Sequence, residues 1–258
     1  MSIVKKSSKN LPIEKNLRKT LHRNLKFNAT EQYKLLRTNI SFTLPEDVKC
    51  PIIGVTSSVR GEGKSTTAIN LAYVYAESGK RVLLIDGDLR LPSVAKKMGI
   101  DGSTGLTNFL LDSNRIMIEN YKTEINDKWF IVPCGPIPPN PSELLASKKM
   151  EKLLSMLSEH FDCIIIDLPP VNIVSDAVAI SKYLTGIILV VRQNYTEKDE
   201  FENCKRQLKL SNVNVLGLVL NGVNRGNSYY RNYKYKRYYK YYASHEYQQS
   251  SDEGKQDD

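Results

Sequence analysis

Six short apolar runs set the frame for this chain: IIGVT (52–56), RVLLID (81–86), WFIVPC (129–134), CIIID (163–167), GIILVVR (186–192) and VLGLVLN (215–221). None is longer than seven residues, and Ile and Val dominate them. They read as apolar on both faces, so both faces must be shielded from water. Helix-like segments lie between most of them. That alternation predicts an α/β domain, a mostly parallel sheet with helices on both faces. Such sheets bind ligands beyond the C-terminal ends of their strands, so the residues that follow each run are the first place to look for chemistry. A hydrophobic content of 41% in 258 residues is enough to build the core.

The first run is followed by SSVRGEGKSTTAINLAYVYAESGK. GEGKST has the GK[ST] core of a phosphate loop, with glycines where backbone N–H groups must turn inward toward phosphate. Ser58 stands where the usual pattern has its first glycine. The expected nucleotide contacts are Gly61, Glu62, Gly63, Lys64, Ser65 and Thr66, with Lys64 reaching the β/γ-phosphates and the Ser65 hydroxyl on Mg²⁺. A helix from Ser65 to Ser78, stopped by Gly79, would add its N-terminal dipole. Asp86 and Asp88 end the second run and Asp167 ends the fourth. A carboxylate at the tip of a buried parallel strand can hold Mg²⁺, or water on it, beside the loop. Asp88 and Asp167 are the metal candidates alongside Ser65, and Asp86 is the candidate to orient or deprotonate an acceptor, with Asp86 and Asp88 exchangeable in those roles. Arg90 is positioned for phosphate or a neighbouring subunit, and Asn221, at the last strand's tip, for the adenine edge.

The charge sits at the ends. The chain carries +9 overall, yet residues 1–30 hold eight Lys/Arg against Glu14, and residues 225–258 hold seven against five acids, which leaves the body neutral. A neutral body is no polyanion binder by bulk charge. Residues 1–27 read as a basic flexible arm, residues 28–224 as the folded domain, and 225–258 as a tail. Within the arm's successor, NATEQYKLLRTNISF reads as a helix with Asn28 and Glu31 as a capping box and Tyr33, Leu36 and Ile40 on one face. The tail holds nine of the 15 tyrosines: Tyr229, Tyr230, Tyr233, Tyr235, Tyr238, Tyr239, Tyr241, Tyr242 and Tyr247. Cys50, Cys134, Cys163 and Cys204 are widely spaced and form no CxxC, which argues against zinc and iron–sulfur scaffolds and fits a reducing cytosol. No apolar run approaches the roughly 18–20 residues that span a bilayer, and the N-terminus lacks a signal-peptide apolar region, so membrane association is expected to be peripheral or through a partner.

SSVRGEGKST, LLIDGDLR and IIIDLPP together resemble the Walker A, Walker A′ and Walker B motifs of the bacterial tyrosine kinases. GPIPPNPSELL (135–145) resembles that family's linker, and the tyrosine-rich tail its autophosphorylation cluster. The resemblance implies a P-loop NTPase fold of the MinD/ParA-like branch. It implies ATP and Mg²⁺ as cofactors, the nine tail tyrosines as acceptors, and a role in capsule or exopolysaccharide synthesis. It also implies a ring-shaped homo-oligomer built through an ExxRxxR helix, present here as Glu31, Lys34 and Arg37, where Lys lacks the bidentate fork of Arg. Leu168 replaces the family's usual Thr after the Walker B aspartate. The implied partners are a separate transmembrane adaptor that activates the chain at the inner face of the plasma membrane, a tyrosine phosphatase and other protein substrates, with the kinase itself cytoplasmic. Two readings compete. One is a MinD/ParA-like regulatory ATPase without kinase activity, which would carry a lysine where this chain has Val59. The other is nucleic-acid binding through the Tyr/Lys/Arg tail, which salt-sensitive RNA binding would support and which the kinase reading does not expect.

Overall fold

The structure, a computed structural model, describes residues 21, 25–111 and 117–223. The tail tyrosines lie outside the described residues. Helix α1 (Phe27–Ser41) leads into β1 (Ile52–Ser57), and the phosphate loop connects β1 to α2 (Lys64–Glu77). Strand β2 (Val82–Asp86) is followed by two short helices, α3 (Val94–Met98) and α4 (Leu106–Leu111), and then by β3 (Trp129–Val132). Helices α5 (Pro141–Leu145) and α6 (Lys148–Ser158) return the chain to β4 (Cys163–Asp167). Helix α7 (Asp176–Ile180), β5 (Gly186–Arg192), α8 (Lys198–Leu210) and β6 (Val215–Asn221) complete the order.

All six strands pair in parallel, in the order β3-β2-β4-β1-β5-β6. Alternate residues of each strand serve the two faces. On one face Val82, Leu84, Cys163, Ile165, Ile53 and Val55 pack under α2, with Ile40 of α1 beside them. On the other Leu83, Ile85, Ile164 and Ile166 pack under α4, α6 and α8. Each of these strand residues is essentially without exposure. Ile165 lies on β4, between β2 and β1. Replacing it by Ala is expected to cost about 2–5 kcal/mol in urea unfolding, because a packed sheet centre cannot close over the cavity.

Three expectations need correction. The run 215–221 is not covered on both faces: β6 is an edge strand, and Val215, Leu218 and Leu220 are 40–58% exposed. The capping box is not formed. Helix α1 starts at Phe27 with Lys26 as its extended N-cap residue and no side-chain cap, so Asn28 falls inside the first turn, and Glu31 pairs instead with Lys34 at 2.9 Å. The arm is not free along its whole length either, because Leu21 is buried in the core on the α1 side of the sheet. The expected face of α1 is present: Ile40 is buried, with Tyr33 and Leu36 packed against the same core. Among the described residues no helix is long and apolar enough to cross a membrane.

Candidate nucleotide site

Strand register brings the acidic residues to one place. Asp167 pairs in register with Asp86 on one side and with Val55 on the other, so both aspartates reach the level at which β1 hands over to the phosphate loop. The crossover between β1 and β2, with β4 inserted between them, leaves the crevice that open parallel sheets use for ligands.

Lys64 is the hub. Its Nζ lies 2.9 Å from Asp88 Oδ2, 3.4 Å from Asp167 Oδ1 and 3.4 Å from Ser65 Oγ. Burial opposes its charge, but Asp167 and Asp88 outweigh that and raise its pKa. Asp167 has no exposure; burial raises its carboxyl pKa, against the pull of Lys64 and the Ser65 hydroxyl. Asp86 is buried too, and burial followed by the charge of Asp167 pushes its carboxyl up to about 7, although the Val94 N–H favours the ionised form. Asp86 accepts the N–H groups of Ser93 and Val94 at 3.0 and 2.9 Å, so it also caps the entry to α3. Asp88 accepts the Leu91 N–H at 3.0 Å through its other oxygen.

Asp167 Oδ2 is buried without a hydrogen-bond partner, beside the carboxylate of Asp88 and the hydroxyl of Ser65. One hydroxyl and two carboxylates suit a hard cation that keeps water and takes substrate phosphates as its other ligands. Among the described residues no group of three or more His, Cys, Asp or Glu is arranged to hold a metal by itself, so a cation here would need such shared ligands. Gly63 forms the N-cap of α2 at φ +100°, which aims the first-turn N–H groups of α2 at the loop's hollow. The residues present therefore fit a metal-bound nucleoside phosphate.

The rest of the loop is held from behind by residues that sequence reasoning missed. Arg192 donates to the Gly61 carbonyl at 2.9 Å, Tyr195 to the Arg60 carbonyl at 3.0 Å, and the Thr196 hydroxyl to Glu62. Arg192 ends β5 and the other two follow it, so the rule that ligand sites form at strand tips points to them. Glu62, expected as a nucleotide contact, is buried and accepts the Val59 N–H at 2.9 Å. Asn221 donates to the Glu62 carbonyl at 2.8 Å and accepts the Gly222 N–H at 2.8 Å, so its amide braces the loop. Arg90 makes a two-pronged pair with the buried Asp176 at 3.0 and 3.1 Å and also reaches Ser142. It ties the loops after β2 and β4 together on its own chain. Leu168 is buried against the spaces left by Gly54 and Gly87, which accounts for an apolar residue at that position. Of the helix-borne triad, Arg37 donates to the Val74 carbonyl of α2.

A phosphate loop feeding a helix, flanked by aspartate-tipped parallel strands, defines a P-loop nucleotide-binding protein. The AAA domain family model matches residues 50–198, more than half of the chain. The tyrosine-protein kinase YwqD of Bacillus subtilis is 40% identical over 194 residues, which are 75% of this chain and 81% of that protein. The tyrosine-protein kinase CpsD of Streptococcus pneumoniae serotype 4 is 39% identical over 197 residues, 75% of this chain and 84% of that one. Among solved structures, the chimerical protein CapA2B2 superposes with a TM-score of 0.73 at 32% identity, over 83% of this chain and 96% of that one. The kinase domain of the Escherichia coli tyrosine kinase ETK gives 0.71 at 30% identity, over 78% of each chain. The cell division ATPase MinD of Pyrococcus furiosus gives 0.56 at 25%, over 69% and 74%. The chain belongs to the bacterial tyrosine kinase family.

Proposed function

We propose that this chain transfers the γ-phosphoryl group of ATP to tyrosine hydroxyls, first those of its own C-terminal tail, and thereby regulates capsular or extracellular polysaccharide synthesis and export. The observation that carries the site is the meeting of Lys64, Ser65, Asp88 and Asp167 at one point, with a buried oxygen of Asp167 left unpaired. Ser65, Asp88 and Asp167 would hold Mg²⁺, which when bound neutralises negative charge on the transferring group. Lys64 exchanges its carboxylate partners for the β/γ-phosphates. Gly61, Gly63 and Thr66 belong to the cradle around those phosphates, with Glu62 fixing its shape. Asn221 would meet the base only by giving up its bond to the Glu62 carbonyl. Asp86 takes the phenolic proton, a modest task for a group of pKa about 10, and Asp88 is the exchange partner in that role.

The tail tyrosines Tyr229, Tyr230, Tyr233, Tyr235, Tyr238, Tyr239, Tyr241, Tyr242 and Tyr247 are the proposed acceptors. Labelled ATP and Mg²⁺ with purified protein, followed by phosphosite mapping, tests the reading. Phosphate on those tyrosines supports it, whereas ATP hydrolysis with no phosphotyrosine would favour a MinD-like ATPase. Asp88→Asn and Asp167→Asn are each expected to cut transfer at least about 100-fold and to raise the Mg²⁺ concentration needed, since each loses metal-binding charge. Wild-type rates and metal response in both would remove them from the site.

The family likeness motivates the remaining proposals: a separate membrane-spanning adaptor that recruits the chain to the inner face of the plasma membrane, a tyrosine phosphatase that resets it, and assembly through Glu31, Lys34 and Arg37. Replacing those three by Ala is expected to shift a large oligomer toward monomer in light scattering. Because Arg37 also holds the Val74 carbonyl, Arg37→Lys alone is the gentler control. An unchanged mass in the triple variant would place the assembly surface elsewhere.

A further inference from the structure

Six tyrosines lie among the described residues, and five of them, Tyr33, Tyr73, Tyr75, Tyr121 and Tyr183, are buried or half-buried. Tyr195 is the exception, 50% exposed on the rim of the nucleotide site. Its placement is unusual for a surface aromatic. Asn194 takes a left-handed turn at φ +56°, and the chain then closes on itself through the Tyr195 and Thr196 N–H groups, which both donate to the Arg192 carbonyl. That turn lays the phenol on the phosphate loop, where its hydroxyl donates to the Arg60 carbonyl at 3.0 Å. The Arg192 guanidinium sits 5.0 Å from the ring centroid and donates to the next carbonyl, that of Gly61. The hydroxyl is 2.7 Å from where a Cβ on Gly61 would stand, so the ring is fitted closely to the loop.

We propose that Tyr195 is a phosphoacceptor, modified by a second copy of this chain, and that its modification loosens the phosphate loop and weakens nucleotide binding. The proposal rests on the kinase reading above. The Tyr195 oxygen of one copy bonds to the γ-phosphorus of ATP held by another. The bond from that phosphorus to the β–γ bridging oxygen breaks, ADP leaves with the electron pair, and the phenolic proton passes to water or to an aspartate of the donor copy. The phosphate donor is a second copy, because within its own chain the hydroxyl is engaged with the Arg60 carbonyl of the loop that would hold the ATP. Half exposure lets the ring swing outward.

The consequence follows from charge and hydrogen bonding. A phosphotyrosine has no hydroxyl proton to give the Arg60 carbonyl, and it brings a charge of about −1.5 to −2. The Arg192 guanidinium, stacked on the ring, is drawn to the phosphate and away from the Gly61 carbonyl. Both carbonyl braces are released together, and a dianion then stands beside the binding place of a polyphosphate.

The test uses full-length protein with all nine tail tyrosines changed to Phe, incubated with ATP and Mg²⁺. Phosphopeptide mapping is expected to find phosphate on Tyr195. Titration with a fluorescent non-hydrolysable ATP analogue is expected to show at least about tenfold weaker binding than before treatment, the size of two lost hydrogen bonds plus one like-charge contact. A tyrosine phosphatase should restore the affinity. Tyr195→Phe in the same background keeps the ring and should show neither the phosphate nor the change in affinity. A Lys64→Met copy carrying the wild-type tail is added as a separate acceptor. If that tail is phosphorylated while Tyr195 stays unmodified, the proposal fails and the kinase reading stands. If neither is modified, both fail. A phosphorylated Tyr195 with unchanged affinity would also overturn the proposal.

Discussion

Lys64→Met is expected to abolish tyrosine phosphorylation and, at pH 8, to destabilise the fold by about 3 kcal/mol. The second effect comes from the ion pairs. Lys64 joins Asp88 at 2.9 Å and Asp167 at 3.4 Å, in a cluster where all three aspartates are buried. Removing one partner of a buried pair leaves the other as an uncompensated charge, which costs more than the pair itself contributed. Here three carboxylates would face one another with no ammonium between them. The carboxyl pKa values of Asp86 and Asp167, already raised by burial, must rise further, that of Asp86 beyond the value of about 7 to which burial and Asp167 already push it. A carboxyl whose pKa is raised on folding contributes its stability below its unfolded pKa and loses it as pH rises through the folded one. The deficit of the Met variant relative to wild type is therefore expected to grow from pH 6 to pH 8. Adding Asp167→Asn should recover part of it by removing one of the repelling charges. Urea unfolding at the two pH values measures both effects. Equal stability of wild type and Lys64→Met at pH 8 would mean that the ion pairs add nothing.

Asp86 and Asp167 were legible as strand-tip residues because the second and fourth apolar runs end on them, and a run short enough to be a buried strand fixes which residue leaves the sheet. The loop was readable for the same reason, since GEGKST follows such a run. What the sequence did not disclose was pairing across long separations. Lys64 reads as a phosphate contact in a glycine loop; its bonds to Asp88 and Asp167 arise only when β4 inserts between β2 and β1. Arg90 reads as a free cation near the site, and its partner Asp176 lies 86 residues on. Asn221 reads as a strand-tip donor, but the fold sets it against Glu62, 159 residues away. The exposure of β6 was hidden because Val, Leu and Gly fill both edge and centre strands, and periodicity cannot say which strand ends the sheet.

Gly63→Ala is expected to weaken nucleotide binding at least about 100-fold, close to 2.7 kcal/mol. Two costs act together at this position. The backbone sits at φ +100°, where a Cβ meets its own carbonyl neighbours at a cost of about 1–2 kcal/mol. The same Cβ would stand 2.0 Å from the Asn221 amide nitrogen, a distance no pair of atoms tolerates. Asn221 would have to leave, breaking its 2.8 Å bond to the Glu62 carbonyl and freeing the loop on that side. Because Gly63 is the N-cap of α2, any shift there moves the first-turn N–H groups that face the phosphates. Gly79→Ala separates the two costs. Gly79 has a similar φ of +83°, but nothing lies within 4 Å of its added Cβ. It should lose about 1 kcal/mol of stability and leave nucleotide affinity unchanged. Combining Gly63→Ala with Asn221→Ala removes the clash and keeps the strain, so part of the affinity should return. Titration of the four proteins with an ATP analogue decides it: if Gly63→Ala binds as the wild type does, the loop is not the phosphate cradle described above.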